Sequence, residues 1–330
     1  MLRLSVLDQS PVRSGSTAAD AIHETLELAQ ACDRWGYQRY WLAEHHSTPG
    51  LAGSSPEVLI GQVAARTTRI RVGAGGIMLQ HYSPLKVAEN FRVLETLFPG
   101  RIDLGIGRAP GADPLTARAL RADARLEDFP QQVADVIAFV GNRVPPDHAF
   151  AKVLAMPSGP TAPEMWLLGS SDQSAAVAAH FGTAFCFAHF INDDGGAEVT
   201  RAYALQFRPS ERLRTPRASV AVFVVCADTE AEALRLAKSR DLFIVRLYTG
   251  RSGRYPSVEE AEAYPYTERE LAIVHHARRR TVAGAPEQVR DRLRALAAEY
   301  GVDELVVVTI THDVKARLRS YELLAEVCSA

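Results

Sequence analysis

The chain is expected to fold as α/β, an eight-stranded (β/α)8 TIM barrel with insertions, formed by residues 1–330 as one domain. Three observations predict this. Short apolar runs alternate regularly with amphipathic patterns of helical period. Eight such runs are present, and strands joined by helices pair in parallel through right-handed crossovers, a number that closes a barrel. Polar, titratable and glycine-rich clusters recur where the runs end, and in a barrel all those ends share one rim.

Leu2 to Leu7 reads as the first strand, and Thr17 to Trp35 as a helix with Ile22, Leu26 and Ala29 on one face and Gly36 as its stop. Arg39 to Leu42 is the second strand. The next helix opens at Ser55-Pro56-Glu57, a cap followed by proline in the first turn. Ile70 to Ala74 is the third strand. The helix from Ser83-Pro84 keeps Val87, Phe91, Leu94 and Phe98 in phase until Pro99-Gly100. Ile102 to Gly105 is the fourth strand, with helix over much of Pro114 to Val140. Met165 to Leu168, Thr183 to Phe187 and Ser219 to Cys226 are strands five to seven, accompanied by helices near Asp172 to Phe181, Ala197 to Phe207 and Thr229 to Val245. Pro286 to Tyr300 is a helix stopped by Gly301, Leu305 to Thr309 the eighth strand, and Val314 to Val327 the closing helix. Surplus length falls at about 110–163 and at 246–283, read as insertions.

Composition narrows the function classes. At 330 residues, 47% hydrophobic and 23% charged, this is ordinary globular composition. A formal net charge of −2, spread along the chain, offers no footprint for nucleic acid. Cys32, Cys186, Cys226 and Cys328 are far apart with no Cys-x-x-Cys spacing, which fits a reducing cytoplasm rather than a disulfide or zinc framework. No apolar run approaches the roughly 18 residues of a membrane span, and Met1 to Asp8 turns polar too soon for a signal peptide. The expectation is a soluble cytoplasmic protein with no membrane partner.

Four strand exits carry chemistry. After strand two, Tyr40-Trp41-Leu42-Ala43 ends in Glu44, His45 and His46 and then in the turn residues Ser47 to Gly50. This is either a catalytic cluster or a histidine pair satisfied by backbone carbonyls. After strand three, Gly75-Gly76 permits backbone geometry barred to other residues, or is a simple turn. After strand four, Gly105-x-Gly107-x-x-x-Gly111 mimics a dinucleotide fingerprint. Pro110 and Pro114 crowd that turn, so its glycines read better as space for a flat ligand, with Arg108 either beside that ligand or in a structural ion pair. After strand five, Gly169-Ser170-Ser171-Asp172-Gln173-Ser174 is either an anion cradle at a helix start or a plain N-cap. No metal site is expected: His45 and His46 are neighbours that project oppositely in extended chain, and no His-Glu-x-x-His spacing exists.

Together these stretches resemble the bacterial luciferase-like flavin monooxygenases, and more closely their single-chain, alkanal-monooxygenase-like relatives. The resemblance spans essentially the whole chain. It rests on Trp41 to His46, Arg71 to Ile77, Phe98 to Arg108, and Leu168 to Ser171 with Ser174. It implies a barrel binding FMN at the strand C-terminal rim, where reduced flavin and O2 oxygenate a small organic substrate through a flavin C4a-hydroperoxide. His45 would serve that chemistry, with Glu44 and His46 beside it. Gly75 and Gly76 would form a non-prolyl cis peptide against the isoalloxazine, next to Gly107. Arg108, Gly169, Ser170, Ser171 and Ser174 would hold the phosphate end. A separate flavin reductase and a homodimer are also implied. Gly107 stands where the luciferases have cysteine and Ser170 where they have glutamate, which points away from light emission and a long-chain aldehyde. Two alternatives share the scaffold: a deazaflavin (F420)-dependent hydride-transfer oxidoreductase, and a non-catalytic flavin-binding protein.

Overall fold

The computed structural model describes residues 2–121, 123 and 125–329. Its strands are β1 (Arg3–Asp8), β2 (Arg39–Leu42), β3 (Arg71–Met78), β4 (Ile102–Gly107), β5 (Glu164–Gly169), β6 (Ala184–Ala188), β7 (Ala218–Cys226), β8 (Thr281–Gly284) and β9 (Glu304–Val308). Its helices are α1 (Ala18–Trp35), α2 (Pro56–Arg66), α3 (Pro84–Leu97), α4 (Pro114–Leu120), α5 (Phe129–Gly141), α6 (Asp172–Phe181), α7 (Gly196–Gln206), α8 (Glu230–Tyr248), α9 (Val258–Ala263), α10 (Glu268–Arg279), α11 (Pro286–Tyr300) and α12 (Val314–Ser329). Local sequence sets the ends. Thr17 and Asp20 cap α1 reciprocally, and Gly36, at φ 85°, closes it in a left-handed conformation. Proline opens α2 and α3, where its missing N–H costs nothing.

The strands run in the order β6-β5-β4-β3-β2-β1-β9-β7, all parallel, and a β6–β7 pairing closes the ring. The chain is thus an eight-stranded parallel α/β barrel, as expected from its alternating pattern. The strand read from sequence as the eighth is the ninth in chain order. β8 is the extra one: it pairs with Phe223–Cys226 of β7, beyond the stretch Ala218–Ala221 where β6 pairs. Four residues within an insertion leave too little periodicity to be read.

Strand alternation divides the core. One set of side chains, including Val6, Leu42, Val72, Leu104 and Val220, packs outward with the helices. The other, including Leu7, Trp41, Trp166, Phe223 and Val306, fills the barrel interior. α8 breaks the expected pattern. It was read as a barrel helix, yet Ala233, Leu236, Ala237 and Phe243 pack with the interior set, so α8 lies over the barrel mouth. α11 takes the outer position, its Val289, Leu293 and Ala297 packing with the outward set. The second insertion therefore begins at the end of β7, upstream of the expected 246. Among the described residues, no helix is long and apolar enough to cross a membrane.

Candidate active site

The β2 exit is built around a saturated carboxylate. Glu44 is fully buried. Its Oε1 accepts from Tyr82 Oη at 2.8 Å and pairs with His46 Nε2 at 2.8 Å, while its Oε2 accepts from the Met78 amide at 3.0 Å. Glu44 therefore ties the end of β2 to the end of β3 and orients His46. Burial, and then the Glu44 charge, push the Tyr82 hydroxyl well above its ordinary range.

His45 is set up differently. Its amide donates to the Gly53 carbonyl at 2.8 Å, but its ring nitrogen Nδ1 is buried without a hydrogen-bond partner among the described residues. Burial, with a smaller contribution from the neighbouring His46, lowers its pKa from 6.5 to about 4. His45 is therefore a neutral imidazole at physiological pH, able to offer or accept one proton. The histidine expected to carry proton chemistry and the carboxylate expected to support it are thus separate units: Glu44 serves His46.

The Gly75-Gly76 bond is cis, and the β3–β4 register shifts between Ala74 and Ile77. The double glycine was expected after the strand; it lies within β3 as an irregularity that keeps the strand paired to Met78. A methyl group at Gly76 would sit 3.0 Å from backbone atoms of Gly105 and Gly107, and one at Gly75 2.8 Å from Leu7. At Gly105 it would overlap the Ala74 carbonyl oxygen at 2.0 Å, whereas at Gly107 it would meet only the mobile end of Met78 at 3.1 Å. The glycines let the end of β3 pack against β4 and the barrel interior more closely than any side chain would allow.

The β5 exit adjoins this wall. Ser171 caps α6, accepting from the Ser174 amide at 3.5 Å, and Ser174 Oγ donates back to the Ser171 carbonyl at 2.7 Å. Gly169 is required by Ser174, whose Oγ would lie 2.2 Å from an added methyl. Asp172 turns its carboxylate onto the Gln173 amide at 2.8 Å, away from the mouth of the turn. Arg108 Nη1 donates to Gln173 Oε1, which brings the only arginine of the β4 exit to the start of α6. Arg108, Gln173 and Ser174 line a groove of about 650 Å3 with Leu126, Phe129 and Val177. Ser171 is thus an N-cap, and the same turn holds Arg108 through Gln173.

Sequence reading missed Tyr82, His81 and Gln173. His81 Nε2 lies 2.7 Å from the Pro110 carbonyl, which can only accept, so Nε2 donates, and the buried Nδ1 has no partner among the described residues. Its ring meets that of His46 edge-on at 6.1 Å. A signal did exist, since His81-Tyr82 follows strand three as Glu44-His45-His46 follows strand two. Among the described residues no cluster of ligands suited to a metal ion occurs.

Comparison with known proteins places the chain. The family model described as luciferase-like monooxygenase matches residues 2–304. The N-acetyl-S-alkylcysteine monooxygenase of Bacillus subtilis (strain 168) is 38% identical over 334 residues, 100% of this chain and 99% of its own. The crystal structure of apo-MsnO8 superposes with a TM-score of 0.91 at 39% identity, covering 100% of this chain and 99% of the other. Two remoter structures share the fold. The oxygenating constituent of 3,6-diketocamphane monooxygenase from Pseudomonas putida, in complex with FMN, has a TM-score of 0.72 at 21% identity, covering 99% and 97%. An F420-dependent secondary alcohol dehydrogenase has a TM-score of 0.68 at 13% identity, covering 99% of both.

Proposed function

The chain belongs to the luciferase-like monooxygenase family, and from that premise we propose that it is an FMN-dependent monooxygenase of a small organic substrate. One observation carries the reading. Gly76 on β3, set directly against the backbone of Gly105 and Gly107 on β4, shares the rim with an imidazole whose buried Nδ1 has no partner among the described residues. A flat, polar-edged ring fits both features: its face can lie along glycine backbone, and its edge supplies the hydrogen-bond partner that His45 lacks. Reduced FMN with O2 would provide the oxygenating chemistry. Gly75, Gly76 and Gly107 would receive the ring. Arg108 would hold the phosphate with Gly169, Ser170, Ser171 and Ser174 around it, and Gln173 would aim Arg108.

His45 is the group placed to move a proton, because it is neutral and its Nδ1 is uncommitted. Glu44 and His46 act through position: their bond, with Tyr82, fixes the loop that presents His45. The α8 segment over the mouth would exclude water from the reacting groups. A deazaflavin carries a longer anionic tail, and the groove beyond Arg108 offers Leu126, Phe129 and Glu127 along its walls, which favours the shorter FMN. The working unit we propose is a cytoplasmic homodimer supplied with reduced FMN by a separate flavin reductase.

Titration of the purified protein with oxidised FMN, reduced FMN and deazaflavin tests this reading. FMN binding with micromolar or tighter affinity, and oxygenation of an N-acetyl-S-alkylcysteine or another small substrate when reduced FMN and O2 are supplied, is the expected result. Failure to bind either form of FMN would sink it. Binding of deazaflavin alone would transfer the site to hydride chemistry, and FMN binding with no oxygenation of any substrate would mark a non-catalytic binder.

A further inference from the structure

Among the described residues five arginines are almost wholly buried. Arg92 on α3 donates to the carbonyls of Val140 and Pro157, and the other four, near the barrel interior or its mouth, are treated in two ways. Arg39 and Arg317 each meet a buried carboxylate, at 2.8 Å and 2.7 Å. Arg240 on α8 and Arg280 at the end of α10 are each 4% exposed, yet neither has a carboxylate within 4.0 Å among the described residues. The nearby acids are engaged elsewhere: Asp241 with Arg278 at 2.6 Å, and Asp193 with Arg279 at 4.0 Å. Arg240 Nη1 donates to Thr281 Oγ1 at 2.8 Å and to the Ala277 carbonyl at 3.3 Å, and Arg280 Nη1 donates to the Ile191 carbonyl. Arg280 Nε is buried with no hydrogen-bond partner among the described residues. A buried cation without a counter-ion is unfavourable, and burial accordingly weakens the hold of Arg240 on its proton.

Their location gives this meaning. The Arg240 guanidinium stacks 4.1 Å from the ring centroid of Phe223, an interior residue of β7. In the closed ring β7 lies four strands from β3 in either direction, across the mouth from Gly75-Gly76. Arg280 reaches the loop after β6, where Phe190 packs on the interior cluster and the half-buried His189 bonds Tyr300 at 2.9 Å. Two buried guanidinium groups thus lie beside interior aromatic residues, on the side of the barrel opposite β3.

We propose that Arg240 and Arg280 form the anion-recognition subsite for the substrate, so that the substrate is a small organic anion, an apolar body bearing a carboxylate or an acid group of similar shape. The position of this subsite relative to the flavin rests on the function proposed above; the anion site itself does not. A guanidinium presents parallel donors that match a carboxylate. The ligand supplies the missing negative charge, and Phe223 and Phe190 receive its apolar part.

The test uses benzoate, benzenesulfonate and the neutral isostere benzamide, titrated by calorimetry into the full-length protein with and without FMN. Benzoate is expected to bind at least about 10-fold more tightly than benzamide, as charge-assisted hydrogen bonds require. Benzenesulfonate distinguishes the two acid groups: preference for either supports the proposal and identifies the headgroup. Arg240→Gln and Arg280→Gln should each lower benzoate affinity about 10-fold or more while leaving the FMN dissociation constant within about threefold. Arg240→Lys, which keeps the charge, should restore part of that loss. Equal binding of benzoate and benzamide by the wild-type protein, which requires no variant to fold, would overturn the proposal. So would folded variants that bind benzoate as the parent does, or that lose FMN while benzoate is unaffected, since the arginines would then cap α10 or serve the cofactor. If FMN fails to bind but benzoate is preferred with the same arginine dependence, the anion site stands and the flavin reading falls.

Discussion

The two ends of the barrel are built from similar residues to opposite purposes. At the N-terminal mouth Arg39 reaches Asp103 at 2.8 Å, Glu304 at 2.8 Å and Glu164 at 3.1 Å. Arg71 adds a second bond to Asp103 at 2.6 Å, Trp41 Nε1 donates to Asp103 at 2.9 Å, and Ser5 donates to Glu304 at 2.6 Å. Burial alone would depress the pKa of Arg39, but the surrounding carboxylates raise it above its ordinary value. Apart from Glu304 Oε2 and the neighbouring Ser219 Oγ, the buried polar side-chain atoms of this layer are bonded among the described residues. At the C-terminal rim the same kinds of group are left wanting: His45 Nδ1, His81 Nδ1 and Arg280 Nε are buried without partners. A closed polar network stabilises one arrangement, whereas an incomplete one is completed by something that binds. The barrel separates the two tasks by about the length of a strand.

The largest effect expected from this comparison is at Asp103. Asp103→Ala removes the partner of Arg39, Arg71 and Trp41 together, and breaking a buried pair from one side costs about 3–5 kcal/mol. Urea denaturation should show a loss in that range, while the FMN dissociation constant of the protein that remains folded stays unchanged. A variant as stable as the parent would remove the claim that this end holds the barrel closed.

This lattice illustrates what the sequence conceals. Arg39, Arg71 and Glu164 open their strands, Asp103 and Glu304 stand at or near the start of theirs, and each alone looks like a polar residue entering an apolar run. Only parallel pairing, with Arg39 opposite Arg71 and Gly73 opposite Asp103, brings them into one layer. The strand and helix positions were legible because periodicity is local. The rim clusters were legible because strand ends concentrate polar residues. Partner choice was not: nothing in Glu44-His45-His46 tells that Glu44 takes His46, since Tyr82 and the Met78 amide, more than 30 residues away, fix its direction. α8 was misplaced for a related reason. Its apolar stripe suits an outer helix equally well; in the fold it packs against α9, α10 and β8 as well as the interior set.

The rim end is tested next at His45. His45→Asn should lower turnover by about 10²–10⁴-fold, the usual contribution of a positioned proton-transfer group, with FMN affinity lowered by no more than about 10-fold, the share of one hydrogen bond. The same variant tests the burial of the ring. The folded-state pKa of about 4 lies below the ordinary 6.5, so the unfolded chain takes up a proton here while the native chain resists. The parent should therefore lose stability as pH falls from 6.5 towards 4, and His45→Asn should lack that share of the acid limb while matching the parent's slope above 6.5. Identical slopes for parent and variant below pH 6.5 would show that the ring is solvated.

Arg108 carries a smaller effect. If it holds the phosphate, Arg108→Ala removes one charge-assisted contact worth about 1.5–3 kcal/mol, roughly 10- to 100-fold in affinity for FMN. Riboflavin, which has the ring and lacks the phosphate, should bind parent and variant alike. Equal losses for both ligands would place Arg108 beside the ring and leave the β5 exit as a cap alone.

The smallest effect separates burial from position. Arg3 and Asp303 also pair at the N-terminal mouth, at 2.6 Å, a geometry as good as any in the buried lattice. Their side chains are 41% and 70% exposed, so water screens the pair and solvates either partner left alone. Arg3→Ala should then cost no more than about 1 kcal/mol in the same urea assay. If it approaches the cost of Asp103→Ala, the contrast between the two ends is one of location along the barrel. If it stays small, the contrast is one of desolvation, and the unpartnered groups at the rim matter because they are buried, not because they are at the rim.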